Sequence, residues 1–98
     1  MANKFYKGET AVILTAIYDA MTGQPADPDS VVVSVYDSKN GPEIENQDMV
    51  KDSTGNYHYD VDTSVFNNLG TCFAIINATS GERCAIEKTY FTVDDIIE

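Results

Sequence analysis

Apolar and polar side chains alternate without a fault from Asn56 to Asp62. Tyr57, Tyr59 and Val61 fall on one side; Asn56, His58, Asp60 and Asp62 fall on the other. Successive side chains of a β-strand point to opposite faces, so the stretch predicts a strand with one dry and one wet face. Gly55 opens it and Asp62-Thr63-Ser64 closes it. Residues 10–19 also predict a strand, because they are rich in β-branched side chains and bounded by Gly8 and by Thr22-Gly23-Gln24-Pro25. Helix is the competing reading there, since Ala, Leu and Ile tolerate it. This strand is apolar on both faces: Val12, Leu14, Ala16 and Tyr18 on one, Ala11, Ile13 and Ile17 on the other.

Two prolines, a glycine and two aspartates make residues 22–30 a loop. Residues 31–36 follow as a strong strand, ended by an Asn40-Gly41 turn suited to positive φ. Residues 43–50 are polar and predict one edge strand, whose charge discourages pairing with other chains. Residues 63–70 predict a crossing loop with one helical turn over 64–67; Val65, Phe66 and Leu69 are apolar enough to plug one end of the core. Residues 71–78 form a strand apolar on both faces, and residues 83–93 form the last one after the Ser80-Gly81 turn. Lys4-Phe5-Tyr6 reads as an extended lead-in and residues 94–98 as a short acidic tail. About seven strands, separated by turn signals and without a periodic helix, predict one all-β domain spanning residues 1–98 with its core over about 5–93. The expected architecture is an antiparallel β-sandwich with Greek-key connections.

Composition narrows the function classes. The 98 residues suffice for one core, burying roughly 60–65% of the unfolded surface. Sixteen acidic against six basic residues give a formal charge of −10, which repels phosphate backbones and anionic lipid. Nucleic acid and membrane are therefore not expected as partners. Residues 1–5 show no apolar core of a secretory signal, and the chain reads as a cytoplasmically made, unexported product beginning at its own Met1. Hairpin geometry places Cys84 opposite residue 76 or 77, too far from Cys72 for a disulfide, so both are expected as reduced packing residues.

Candidate chemistry is sparse. His58, the only histidine, shares a strand face with Asp60 and Asp62, but no serine or cysteine sits where a nucleophile would be activated. No catalytic residue, cofactor or metal ligand is assigned. Asp27 with Asp29, Asp60 with Asp62, and Asp94 with Asp95 are the carboxylates a Ca²⁺ site could use, and exposed tyrosines could serve carbohydrate binding. A Ca²⁺-dependent or carbohydrate-binding adhesive module is thus the alternative reading. The doubly apolar strands carry more apolar side chains than one core face needs, which predicts a docking surface for a partner chain. Ile13, Ile17, Cys72, Ile76, Ile86 and Tyr90 are its expected residues.

The order of short motifs carries a resemblance. Tyr6-Lys7-Gly8-Glu9-Thr10, the Asp19 to Pro25 turn, the residue 31–37 strand, Gly55-Asn56-Tyr57-His58-Tyr59, Leu69-Gly70-Thr71-Cys72-Phe73 and Phe91-Thr92-Val93 follow one another as in immunoglobulin-like sandwich modules. The series resembles the modules of tailed-phage virion proteins and, more distantly, those of macroglobulin-type and bacterial surface proteins. Phe73 stands where many such modules carry a tyrosine after the Leu-Gly turn, and the inter-sheet disulfide with its tryptophan is absent. The resemblance implies a non-enzymatic structural protein of a viral particle. A capsid decoration protein is the first expectation, a neck or tail component the next. Its partners would be other virion proteins, such as capsid subunits or copies of itself, and its location the virion.

Overall fold

The computed structural model describes residues 4–19, 21–66 and 68–95. They form eight strands: β1 (Lys4–Tyr6), β2 (Thr10–Ala16), β3 (Ser30–Tyr36), β4 (Pro42–Asp48), β5 (Val50–Ser53), β6 (Asn56–Asp62), β7 (Gly70–Ser80) and β8 (Arg83–Asp94). A five-stranded sheet, β1-β8-β7-β3-β4, packs against a three-stranded one, β2-β6-β5. The chain is an all-β sandwich, as its alternation predicts. No helix among the described residues is long and apolar enough to cross a membrane.

The tyrosine strand sets the inward side of its neighbour. β6 pairs antiparallel with β2 so that Val61 lies opposite Ala11, Tyr59 opposite Ile13 and Tyr57 opposite Thr15. Cross-strand partners share a face, so the dry side of β6 decides which side of β2 turns inward. Ala11 and Ile13 are buried, while Val12 and Leu14 face solvent. From the other sheet come Val31, Val33 and Val35 of β3, Cys72, Ala74 and Ile76 of β7, and Phe91 and Val93 of β8. Phe66 closes one end of this core, fully buried and edge-on to Phe91 with ring centroids 6.2 Å apart. Leu69 packs against the core as expected, but Val65 is exposed.

Several boundaries differ from the sequence reading. The single edge strand expected over residues 43–50 is two strands, one in each sheet, because Met49 is buried between them and its N–H donates to the Val31 carbonyl at 2.9 Å. Lys4-Phe5-Tyr6 is a strand, parallel to the end of β8, with the Phe5 ring edge-on to Phe91. β2 ends at Ala16, since Ile17 turns away to donate to the Gly55 carbonyl at 2.7 Å and to accept from Ala26 at 3.0 Å. The helical turn is a 3-10 turn over Thr63–Val65, capped by the Asp62 carboxylate, which accepts from the Ser64 N–H at 3.0 Å. Asn67, the N-terminal residues 1–3 and the tail residues 96–98 lie outside the described residues.

Candidate docking surface

Among the described residues the two sheets present edges on two sides, and the sides differ in how they are guarded. On one side stands β4, which carries Pro42, Glu43, Glu45 and Asp48 and pairs with β3 through two irregularities of register. Its Asn46 adopts a positive φ of 48°. β5, beside it, is four residues long, holds Lys51 and Asp52, and breaks register between Lys51 and Ser53. Proline, charge, bulges and shortness are the devices by which sheets prevent edge-to-edge pairing.

The opposite side has few of these. β2 has no charged residue and pairs with β6 along its whole length without irregularity. β8 keeps unbroken register with β7 from Arg83 opposite Ser80 to Val93 opposite Gly70. Among the described residues, β1 covers β8 only at Thr92, Val93 and Asp94, which leaves residues 83–91 as an open edge. The Asp94 carbonyl accepts the Lys7 N–H at 2.8 Å and so points toward the β1 side. Backbone groups alternate in direction along a strand, so Cys84, Ile86, Lys88 and Tyr90 present their N–H and C=O groups to that same open side.

β2 and β8 lie next to each other, joined where the Thr15 hydroxyl donates to Glu87 Oε1 at 2.7 Å. A groove between them is lined by Ala16, Ile17, Tyr18, Ala78, Ala85 and Ile86. Leu14 and Ile86 are 68% and 69% exposed, a large apolar area for strand residues. Across the outer face of the larger sheet runs an aromatic row: Tyr36 stacks on Phe73 at 4.9 Å, and Phe73 meets Tyr90 at 6.2 Å. Lys88 folds over this row, its Nζ 4.3 Å from the Phe73 centroid and 5.2 Å from that of Tyr90. This lysine therefore lies on the sheet face instead of projecting from the edge. Arg83, Glu87 and Lys88 are the only charged residues on β2 and on residues 83–91. This side is close to neutral on a chain of formal charge −10.

The expected interface residues divide between surface and core. Ile86 and Tyr90 are exposed on the unguarded side, and Ile17 lines its groove half-buried. Ile13, Cys72 and Ile76 are corrections: all three are core residues at 4%, 0% and 2% exposure. On a doubly apolar strand the pattern alone cannot tell inside from outside, and the choice fell on the inner side. The residues it passed over are Val12 and Leu14, and the signal that finds them is the β6 alternation carried across to β2 by register.

Most of the other candidate groups have hydrogen-bond or ion-pair partners within the fold. His58 Nδ1 lies 2.7 Å from Asp52 Oδ1 on the neighbouring strand, because β5 packs along β6 at that point. The Asp27 carboxylate accepts from Lys51 Nζ at 2.7 Å, the Gly55 N–H at 2.9 Å and the Tyr57 hydroxyl at 3.2 Å. The Lys51 bond, then that of Gly55, holds its pKa below the ordinary value. Asp29 accepts from Gly81, Asp62 from Ser64, and Asp94 pairs with Lys4. Among the described residues no group of three or more His, Cys, Asp or Glu side chains is placed to hold a metal ion. Cys72 and Cys84 are free, and Cys84 lies opposite Thr79, further from Cys72 than the hairpin reading placed it, because the turn is the tight Gly81-Glu82 pair. Burial, followed by the nearby Asp37 and Glu43 carboxylates, pushes the Cys72 thiol up to about 11 and leaves it protonated at neutral pH. Against this geometry, comparison of the sequence with protein-family models finds no match, and comparison with curated proteins finds none.

Proposed function

We propose that this protein is a non-catalytic structural module that joins a larger assembly through the side formed by β2 and the open edge of β8. The observation that carries the reading is the contrast between the sides: bulges, proline and charge guard β4 and β5, while an apolar, nearly neutral edge is left open. Exposed apolar surface of this kind marks interaction sites, because its burial is the main favourable term in association. The immunoglobulin-like Greek-key reading belongs to the same proposal. It is supported by the order β1-β8-β7-β3-β4 over β2-β6-β5, with chain crossings between sheets after β1, β2, β4 and β6 and a parallel β1–β8 pair.

The assembly we propose is the particle of a tailed phage, with the chain as a capsid decoration protein first and a neck or tail component next. The motif series in the sequence supports it. The acidic surface away from β2 and β8 would then face solvent, and its charge would keep decorated particles apart. The test is cosedimentation of the purified chain with capsids encoded in the same gene neighbourhood. Binding that Leu14→Lys abolishes without altering the melting temperature supports the proposal. Absence of binding by the folded chain contradicts it.

A further inference from the structure

The open edge of β8 has a charge pattern that complements its own reverse. We propose that residues 83–89 pair antiparallel with the same residues of a second copy, about a two-fold axis at Ile86, so that the two five-stranded sheets become one. This deepens the assembly reading by naming an occupant for the edge.

The register follows from three constraints. An axis perpendicular to the sheet keeps outer faces together, so each residue must pair with one of the same parity. Like charges directly opposite each other destabilise a pair. An axis at Glu87 would set Glu87 against Glu87, and one at Lys88 would set Lys88 against Lys88. An axis at Ala85 brings no like charges together but confines the paired stretch of the strand to residues 83–87, because β8 begins at Arg83. An axis at Ile86 extends it to residues 83–89 and sets Ile86 against itself, Ala85 against Glu87, Cys84 against Lys88 and Arg83 against Thr89. Arg83 then lies diagonal to Glu87 of the second copy, within reach of a long side chain, and the contact occurs twice. The paired span also stops short of Thr92, where β1 begins to cover the edge.

The backbone is ready for this pairing. Ile86 presents its N–H and C=O outward, so the central pair exchanges both hydrogen bonds. No bulge or proline interrupts residues 83–91, and Lys88, the lysine best placed to guard the edge, is turned onto Phe73 and Tyr90. The occupant is a second copy and not a basic foreign chain, because the edge itself is nearly neutral and its few charges match their own reversal. Two copies of formal charge −10 still repel at long range. The screening length is about 8 Å at physiological ionic strength and shortens as salt is added, so added salt should tighten the dimer, whereas it would loosen docking onto a basic partner.

Sedimentation velocity from micromolar to submillimolar concentration tests the proposal. The expected result is a dimer that tightens with salt and whose association weakens by about tenfold or more in Ile86→Lys. Val50→Lys, on the guarded side, should leave it unchanged. The Ile86→Cys chain in a Cys84→Ser background should form a disulfide-linked dimer on mild oxidation, since a hydrogen-bonded antiparallel pair holds Cα atoms about 5.5 Å apart. Ile86 is exposed and its N–H points away from β7, so at concentrations where the wild type is monomeric both variants should keep its melting temperature. A folded chain that stays monomeric throughout overturns the proposal, as does a dimer indifferent to Ile86→Lys or unable to cross-link at residue 86. A monomer that still binds capsids sinks the self-pairing alone; a dimer that ignores them sinks the virion reading alone.

Discussion

The Thr63 side chain is fully buried, and its Oγ1 accepts the Gly8 N–H at 2.9 Å while donating to the Glu9 carbonyl at 2.6 Å. It ties the turn before β2 to the end of β6. Thr63→Val keeps the shape but leaves the Gly8 N–H without its acceptor, and should cost about 1–3 kcal/mol in chemical denaturation. Gly55 adopts a φ of +81°, and a Cβ there would stand 2.7 Å from the Ile17 carbonyl oxygen and 2.9 Å from the Pro25 Cβ. Gly55→Ala combines strain with overlap against backbone and should cost roughly 2–4 kcal/mol by the same measurement. Asp37 accepts from the Gly41 N–H at 2.8 Å, from Asn68 Nδ2 at 2.8 Å and from the Lys39 N–H at 2.9 Å. The Asn68 bond, then that of Gly41, lowers its pKa, while burial and then the Asp37 charge raise that of Glu43. The signs are opposite. Asp37, like Asp27 and Asp62, stabilises the fold at neutral pH and loses that contribution as pH falls through its lowered pKa. Glu43 stabilises only where it is protonated and loses its contribution as pH rises through its raised pKa. Glu43→Gln should therefore raise the melting temperature at neutral pH, with the gain shrinking toward pH ~4. A gain that is the same at both pH values would contradict this assignment.

At the scale of elements, the strands were legible wherever one face is dry and the other wet. β6 could be read residue by residue, because a shift of one position would put Tyr57, Tyr59 and Val61 in water. β3 is legible for its run of valines, Val31 to Val33 and Val35. Where a strand is apolar on both sides, as in β2 and β7, existence and type were readable but orientation was not. Ile13, Cys72 and Ile76 were accordingly placed outside when they are core. The division of residues 43–53 between two sheets rests on one buried methionine, and a single apolar residue in a polar run carries no periodicity. β1 is not legible as a strand for a related reason: three residues have no pattern of their own and are organised by the end of β8. The plug was legible, because Phe66 is too apolar for a solvated loop. Phe66→Ala should cost about 3–5 kcal/mol, measured by denaturant unfolding, since the ring is fully buried against Phe91.

For the whole molecule, what matters is asymmetry. Most of the formal charge of −10 lies away from β2 and the open stretch of β8, and the irregular strands lie there too. The unguarded side is regular and apolar, and its backbone donors and acceptors point outward in a row. A sheet edge of this kind either pairs or aggregates, so a protein that keeps it open is expected to fill it in its working state. Backbone amide hydrogen exchange, followed residue by residue over a concentration series, tests that claim most directly. The outward amides of Cys84, Ile86 and Lys88 should become protected as concentration rises, while Glu45 and Gln47 of β4 do not change. Exchange at β8 that is independent of concentration, or protection that grows at β4 instead, would contradict it.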